Sequence, residues 1–192
     1  MSHFFAYMSR MKYISRWGLM RNTMSENIQE HSLQAAMIAH SLAIIKNRVF
    51  GGNVNADRIA AMALYHEVGE VITGDLATPI KYFNPEIKAA YKAIEKIAEK
   101  KIFEMLPDEI KEDMRPFLVS PEQDKESWSI IKAADRICAY LKCLEELKAG
   151  NGEFEKARAS ILESIIALHM PEVEWWLDKF SDSFSLSLDE LN

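Results

Sequence analysis

Breakers and staples are scarce in this chain of 192 residues. Seven glycines and six prolines leave long helices few interruptions. The only cysteines, Cys138 and Cys143, form no CxxC pair. On one helix they point in different directions, which excludes a disulfide framework and implies reduced thiols in a cytosolic core. Long hydrophobic runs are missing too. The longest mostly apolar stretch, residues 35–45, contains His40 and Ser41 and is too short to cross a bilayer. Met1-Ser2-His3-Phe4-Phe5 carries neither the basic n-region nor the apolar h-region of a signal peptide. Basic residues are outnumbered, 23 against 29 acids, and the net charge of −6 argues against nucleic acid as the main partner. A local basic pocket for phosphate stays open. What is present in quantity is apolar: 48% of the residues, enough for a substantial core. The expectation is one soluble, cytoplasmic domain over residues 1–192, with no membrane or nucleic-acid partner.

The apolar residues recur with helical period. Phe4, Met8, Met11 and Ser15 share a stripe, so residues 3–15 are expected to form a first amphipathic helix. Thr23 with Glu26 has the capping-box spacing and is expected to start a helix running to about Lys46. Phe50-Gly51-Gly52-Asn53 is a turn, and Asn55 or Asp57 can cap the next helix, through Ile59, Ala63 and His66. Gly69 and Gly74 loosen the chain ahead of a loop over 73–83. A charged helix over about 85–105 is expected to bury Tyr91, Ile94, Ala98 and Ile102. Pro107, Pro116 and Pro121 break the next stretch. Helices over 128–148 and 153–169 follow, then a short one holding Trp175, Trp176 and Phe180. No segment alternates as a strand does, and the fold class is all-α.

The chemistry gathers on a few charged residues. His31 and His40 lie on opposite faces of their helix at about 100° per residue, so they cannot share a site. His40, among Ile38, Leu42 and Ile44, is expected to be a hydrogen-bonded core or packing residue. His66 and Glu67 are neighbours that converge only if their helix ends there. Glu70 shares their face and can bind a second ion or act as a general base. Asp135 stands on the apolar line of Ile131 and Cys138, where a carboxylate needs a cation or several donors. His31, His66, Glu67 and Asp135 together suit one divalent metal. His66-Glu67-Val68-Gly69-Glu70 lacks the second histidine of HExxH, which excludes a zincin protease.

A histidine, then a histidine with an acid, then a distant aspartate resembles the HD-domain phosphohydrolases. The likeness narrows over Ser2-His3-Phe4-Phe5-Ala6, Arg16-Trp17, Leu19-Met20-Arg21-Asn22, Glu30-His31-Ser32-Leu33-Gln34 and Gly74-Asp75-Leu76-Ala77-Thr78-Pro79. With Lys81-Tyr82-Phe83 and the stretch from Cys138 to Leu147, these resemble the bacterial 5′-deoxynucleotidases of the YfbR type. The resemblance implies a single-domain HD helical bundle, homodimeric, that hydrolyses deoxyribonucleoside 5′-monophosphates. It implies one divalent cation, cobalt preferred, with manganese, copper, magnesium or zinc as alternatives. His31, His66, Glu67 and Asp135 would be its ligands. Arg16 would orient the phosphate, Trp17 would lie against the sugar, and Glu70 would serve proton transfer. Asp75, Leu76, Ala77 and Thr78, with Glu67 and Asp135, would line the nucleotide site. The family carries His-Asp where this chain has His66-Glu67, an arm longer by roughly 1.5 Å. Two alternatives remain on the residues alone: an HD hydrolase of a cyclic nucleotide or nucleoside triphosphate, and a non-catalytic nucleotide-binding dimer.

Overall fold

The computed structural model describes residues 1–81, 83–119 and 124–192. Tyr82 and Pro121, both named above, lie outside the described residues. Among these residues the chain is helical throughout: α1 (Phe4–Met8), α2 (Ile28–Val49), α3 (Ala56–Leu64), α4 (Glu70–Thr73), α5 (Thr78–Lys81), α6 (Pro85–Glu104), α7 (Asp108–Leu118), α8 (Lys125–Lys148), α9 (Glu155–Ile166) and α10 (Pro171–Phe180). The only β pairing among them is an isolated antiparallel bridge between Ser15 and Asn27.

The main core lies between α2, α3 and α8, capped by α9 and α10. Leu42, Ile59, Met62, Ile130, Ile137 and Leu141 are fully enclosed, each worth about 1.5–3 kcal/mol of burial. Trp176 is buried against this core, its Nε1 donating to Ser41 Oγ at 3.0 Å, so the C-terminal aromatics cap it. A smaller cluster of Phe4, Val68, Ile102, Phe103, Leu106 and Leu118 joins α1, α6 and α7. No helix of the described residues is long and apolar enough to cross a membrane. Cys138 and Cys143 are free thiols, both buried.

Several local expectations need correction. The first helix stops at Met8 and continues as a 3-10 segment, Ser9–Tyr13, leaving Ser15 exposed and outside it. The capping box of α2 is Asn27 with Glu30, not Thr23 with Glu26. Asn27 Oδ1 accepts from the amides of Gln29 and Glu30 at 3.0 Å, and Glu30 reaches back to the Asn27 amide. Thr23 and Glu26 are engaged in tertiary hydrogen bonds instead. Helix α3 ends at Leu64, before His66. The expected loop over 73–83 contains the short α5, and Pro116 sits inside α7 rather than breaking it. Ile94 is half-exposed, although Tyr91, Ala98 and Ile102 of the same helix are buried. The helix expected over 153–169 is a 3-10 turn followed by α9.

One buried polar knot fixes the long connection between α1 and α2. Glu146, on the last turns of α8, accepts from the Thr23 amide and hydroxyl, the Met24 amide and the Asn151 side chain. Lys142 pairs with the same carboxylate and donates to the Met24 carbonyl at 2.6 Å. Burial alone would raise the Glu146 pKa, but Lys142, Asn151 and Thr23 outweigh it and hold the carboxyl well below its usual range. Its stabilisation is therefore present above the ordinary value of 4.5 and lost as pH falls below it. Glu146→Ala strands the Lys142 ammonium and is expected to cost about 3–5 kcal/mol at neutral pH. Thermal melts should show the gap between wild type and variant closing below pH 4.5.

Candidate metal centre

Four side chains from three parts of the chain meet between α2, α8 and the turns after α3. One ligand atom from each of His31, His66, Glu67 and Asp135 lies within 4.8 Å of all the others. His31 comes from the first turn of α2 and Asp135 from the middle of α8. His66 and Glu67 lie on successive turns between Leu64 and Glu70. Released from the helix, adjacent side chains are no longer held about 100° apart. Both can then face one point.

His66 Nδ1 lies 2.6 Å from the Ala63 carbonyl. A carbonyl only accepts, so Nδ1 carries the proton and the Nε2 lone pair is turned to the centre. There it sits 3.2 Å from Glu67 Oε1. His31 Nε2 lies 3.1 Å from Asp135 Oδ1 and 4.0 Å from Glu67 Oε1. Both Nε2 atoms are buried, and neither has a hydrogen bond of proper geometry. Such atoms are costly unless something binds them. Two imidazole nitrogens and two carboxylates form a donor set that fits zinc or a neighbouring transition metal better than calcium.

The four groups also shift one another electrostatically. Burial lowers the pKa of His31 and outweighs the help of Asp135, favouring the neutral ligand form. Burial pushes His66 down as well, but the Glu67 carboxylate prevails and leaves it raised. Glu67 and Asp135 both stay below the usual carboxylate range. Desolvation opposes this, yet His66 overcomes it for Glu67 and His31 for Asp135.

Glu70 opens α4 and faces the same centre. Its side chain is buried and Oε2 has no hydrogen-bond partner. Burial, then the neighbouring Glu67 and Asp75 charges, push its carboxyl up to about 10. Gly74 ends α4 at φ 72°, the left-handed region, where a side chain would be strained. The chain then turns so that Asp75, Ala77 and Thr78 line a cleft of about 400 Å³ beside the four ligands. Leu76, between them, is not among the lining residues.

Arg16 and Trp17 form the opposite lip. Arg16 Nη2 is 3.9 Å from Asp135 Oδ1, while its Nε donates to Glu26. Burial lowers its pKa less than Asp135 and Glu26 raise it, so the guanidinium is firmly charged. Trp17 adopts φ 60°, an unusual backbone for so large a residue, and packs 5.4 Å from the fully buried Phe154 ring. The far wall comes from α8 and α9: Arg136, Ala139, Ala157, Ser160, Ile161 and Ser164. Those residues, with Leu19, Met20 and Glu26, were not legible as site residues. Wall positions leave no chemical signature in a sequence, and Glu26 matched a capping box. His40 stands apart from the site, half-exposed and paired at 3.2 Å with the exposed Asp57, so it is a surface rather than a core residue.

The family model described as 5′-deoxynucleotidase YfbR-like matches residues 3–184. A curated 5′-deoxynucleotidase of Photorhabdus temperata is 59% identical over 192 residues, covering 100% of this chain and 98% of that protein. One from Vibrio vulnificus is 54% identical over 191 residues, again covering 100% and 98%. Among solved structures, an HD-domain phosphohydrolase from Listeria innocua superposes with a TM-score of 0.82 at 21% identity, covering 95% of this chain and 88% of that one. The cyanophage S-2L HD phosphohydrolase DatZ, solved bound to dA and one catalytic Zn²⁺, gives 0.64 at 19% identity, covering 93% and 96%. These two share the fold. The family match along nearly the whole chain, with relatives above half identity, places this protein in the 5′-deoxynucleotidase YfbR-like family.

Proposed function

We propose that this chain is a metal-dependent 5′-deoxynucleotidase, a single HD-type domain over residues 1–192 that hydrolyses deoxyribonucleoside 5′-monophosphates to deoxynucleoside and phosphate. The activity is the one its family and its curated relatives are named for. The observation that carries the reading is the meeting of His31, His66, Glu67 and Asp135 beside the charged fork of Arg16. These four residues would hold one divalent cation. The Zn²⁺ in the cyanophage HD phosphohydrolase supports a metal of this class, and the resemblance noted above favours cobalt. When bound, such an ion supplies positive charge against the phosphoryl oxygens and Lewis acidity for the attacking water.

The protein side chains do the rest. Arg16, with Nε engaged by Glu26, keeps its Nη groups for two phosphate oxygens, a planar match lysine lacks. Water attacks phosphorus opposite the 5′ oxygen, the P–O5′ bond breaks, the water loses one proton and the leaving oxygen gains one. Glu70, buried beside Glu67, handles one of these two transfers. Trp17, on the lining of the cleft, would turn away a 2′-hydroxyl by collision and by leaving it unpaired, which would select deoxyribose. Ala139, Ala157 and Ile161 give the far wall an apolar surface against which a base can pack. A cleft of about 400 Å³, whose second guanidinium, Arg136, is tied through Nη1 to the Ser164 carbonyl, suits a monophosphate better than a triphosphate, and the clustered ion-binding set argues against a non-catalytic binder. A homodimer is supported by Leu33, Met37 and Ile44, an exposed apolar stripe on the outer face of α2. The two buried free thiols support a reducing, cytoplasmic setting.

The test is phosphate release from deoxy and ribo 5′-monophosphates after chelation and reloading with cobalt, manganese, copper, magnesium or zinc. Chelation should abolish release and one or more ions should restore it, with deoxynucleotides preferred. Persistent activity in excess chelator would refute the metal assignment. Glu67→Asp shortens one ligand arm by roughly 1.5 Å and should change which ion activates best.

A further inference from the structure

We propose that Glu26 is the positioning residue that locks Arg16 and Trp17 into one unit and thereby sets discrimination between deoxyribose and ribose; this rests on the nucleotidase reading above. A single oxygen, Glu26 Oε2, accepts from Arg16 Nε at 3.2 Å and from Trp17 Nε1 at 3.0 Å. The Glu26 carbonyl takes the Arg16 amide at 2.9 Å, and the flanking Ser15–Asn27 bridge and Ile28–Ile14 hydrogen bond close the two chain segments together. Its side chain is 14% exposed and Arg16's is 12%, so water competes little for these bonds.

The geometry has two consequences. An arginine whose Nε is occupied by a carboxylate cannot spin about its last bonds, and its two Nη groups stay presented to the cleft as a pair. A tryptophan rejects an extra hydroxyl only if the ring cannot step aside. Trp17 is restrained at the indole nitrogen by Glu26, on its face by Phe154, and at its carbonyl by Asn22 Nδ2 at 3.3 Å. Its left-handed backbone, φ 60°, would relax if these restraints were lost. Glu26 is not among the four clustered ligands, so its removal leaves the metal donors intact.

The experiment measures kcat and KM for deoxyadenosine and adenosine 5′-monophosphates, with bound metal quantified, in wild type, Glu26→Ala, Glu26→Gln, Trp17→Ala and the Glu26→Ala/Trp17→Ala double variant. Glu26→Ala should lower the deoxy-to-ribo ratio of kcat/KM by about tenfold or more and raise KM, with metal content unchanged. Glu26→Gln keeps an acceptor oxygen but not the charge. It should retain most of the ratio while raising KM, and it serves as the test if the alanine variant does not fold. In the Trp17→Ala background, adding Glu26→Ala should leave the ratio where it was. An unchanged ratio in Glu26→Ala, the same fold-loss with and without Trp17, or a Gln variant with wild-type KM would overturn the inference. Equal rates on both nucleotides by wild type would instead contradict the selectivity reading, and the KM comparison would then decide the role of Glu26.

Discussion

Glu70→Gln is expected to slow phosphate release by about 10²–10⁴-fold, the usual share of a positioned general acid–base group. Metal content and substrate affinity should stay at wild-type levels. Glutamine matches the shape of Glu70 but cannot exchange a proton, so the change isolates proton transfer from packing. The fold should tolerate it well. Glu70 forms no ion pair among the described residues, its Oε2 has no partner there, and a neutral amide replaces a carboxyl that is itself neutral when buried. Burial and the Glu67 and Asp75 charges outweigh the Arg16 guanidinium and keep this group protonated at neutral pH. A bound divalent ion would draw its pKa down toward the working range. Single-turnover phosphate release, with metal content determined alongside, checks the expectation. Turnover at the wild-type rate would remove Glu70 from the mechanism.

Arg16→Lys should lower kcat/KM by about 10²–10³-fold, a loss typical of removing one preorganised donor from a developing anion. Charge is conserved in this variant, so any loss reports geometry. The guanidinium is tied at Nε to Glu26 and stands 3.9 Å from Asp135, leaving a planar pair of donors for phosphate. A lysine ammonium cannot bond Glu26 and present two parallel donors at once. Inorganic phosphate should also inhibit the variant less strongly than wild type. A lysine variant with wild-type kcat/KM would show that positive charge alone suffices.

How much of this was legible in residues alone depends on the range of the interaction. Most helices were readable, because apolar period and the Asn55 cap of α3 are local signals. The Thr23–Glu26 spacing misled because it satisfies a local pattern while both side chains bond to residues elsewhere: Thr23 to Glu146 on α8, Glu26 to Arg16 and Trp17. Ile94 misled for a related reason. Its stripe is real, with Tyr91, Ala98 and Ile102 buried, but how much of a stripe is covered depends on the elements that pack against it.

The chemical identity of the site was set by composition: two histidines, an acid beside one of them, and an aspartate on an apolar line cannot be placed cheaply without a cation. Whether they meet, and at what separations, is decided only by how α2, α8 and the turns after α3 pack, since hydrophobic burial is non-directional and leaves the approach of distant side chains unspecified until the core closes. The same holds for Glu26, an ordinary loop acid until tertiary contacts bring two neighbouring donors onto one of its oxygens.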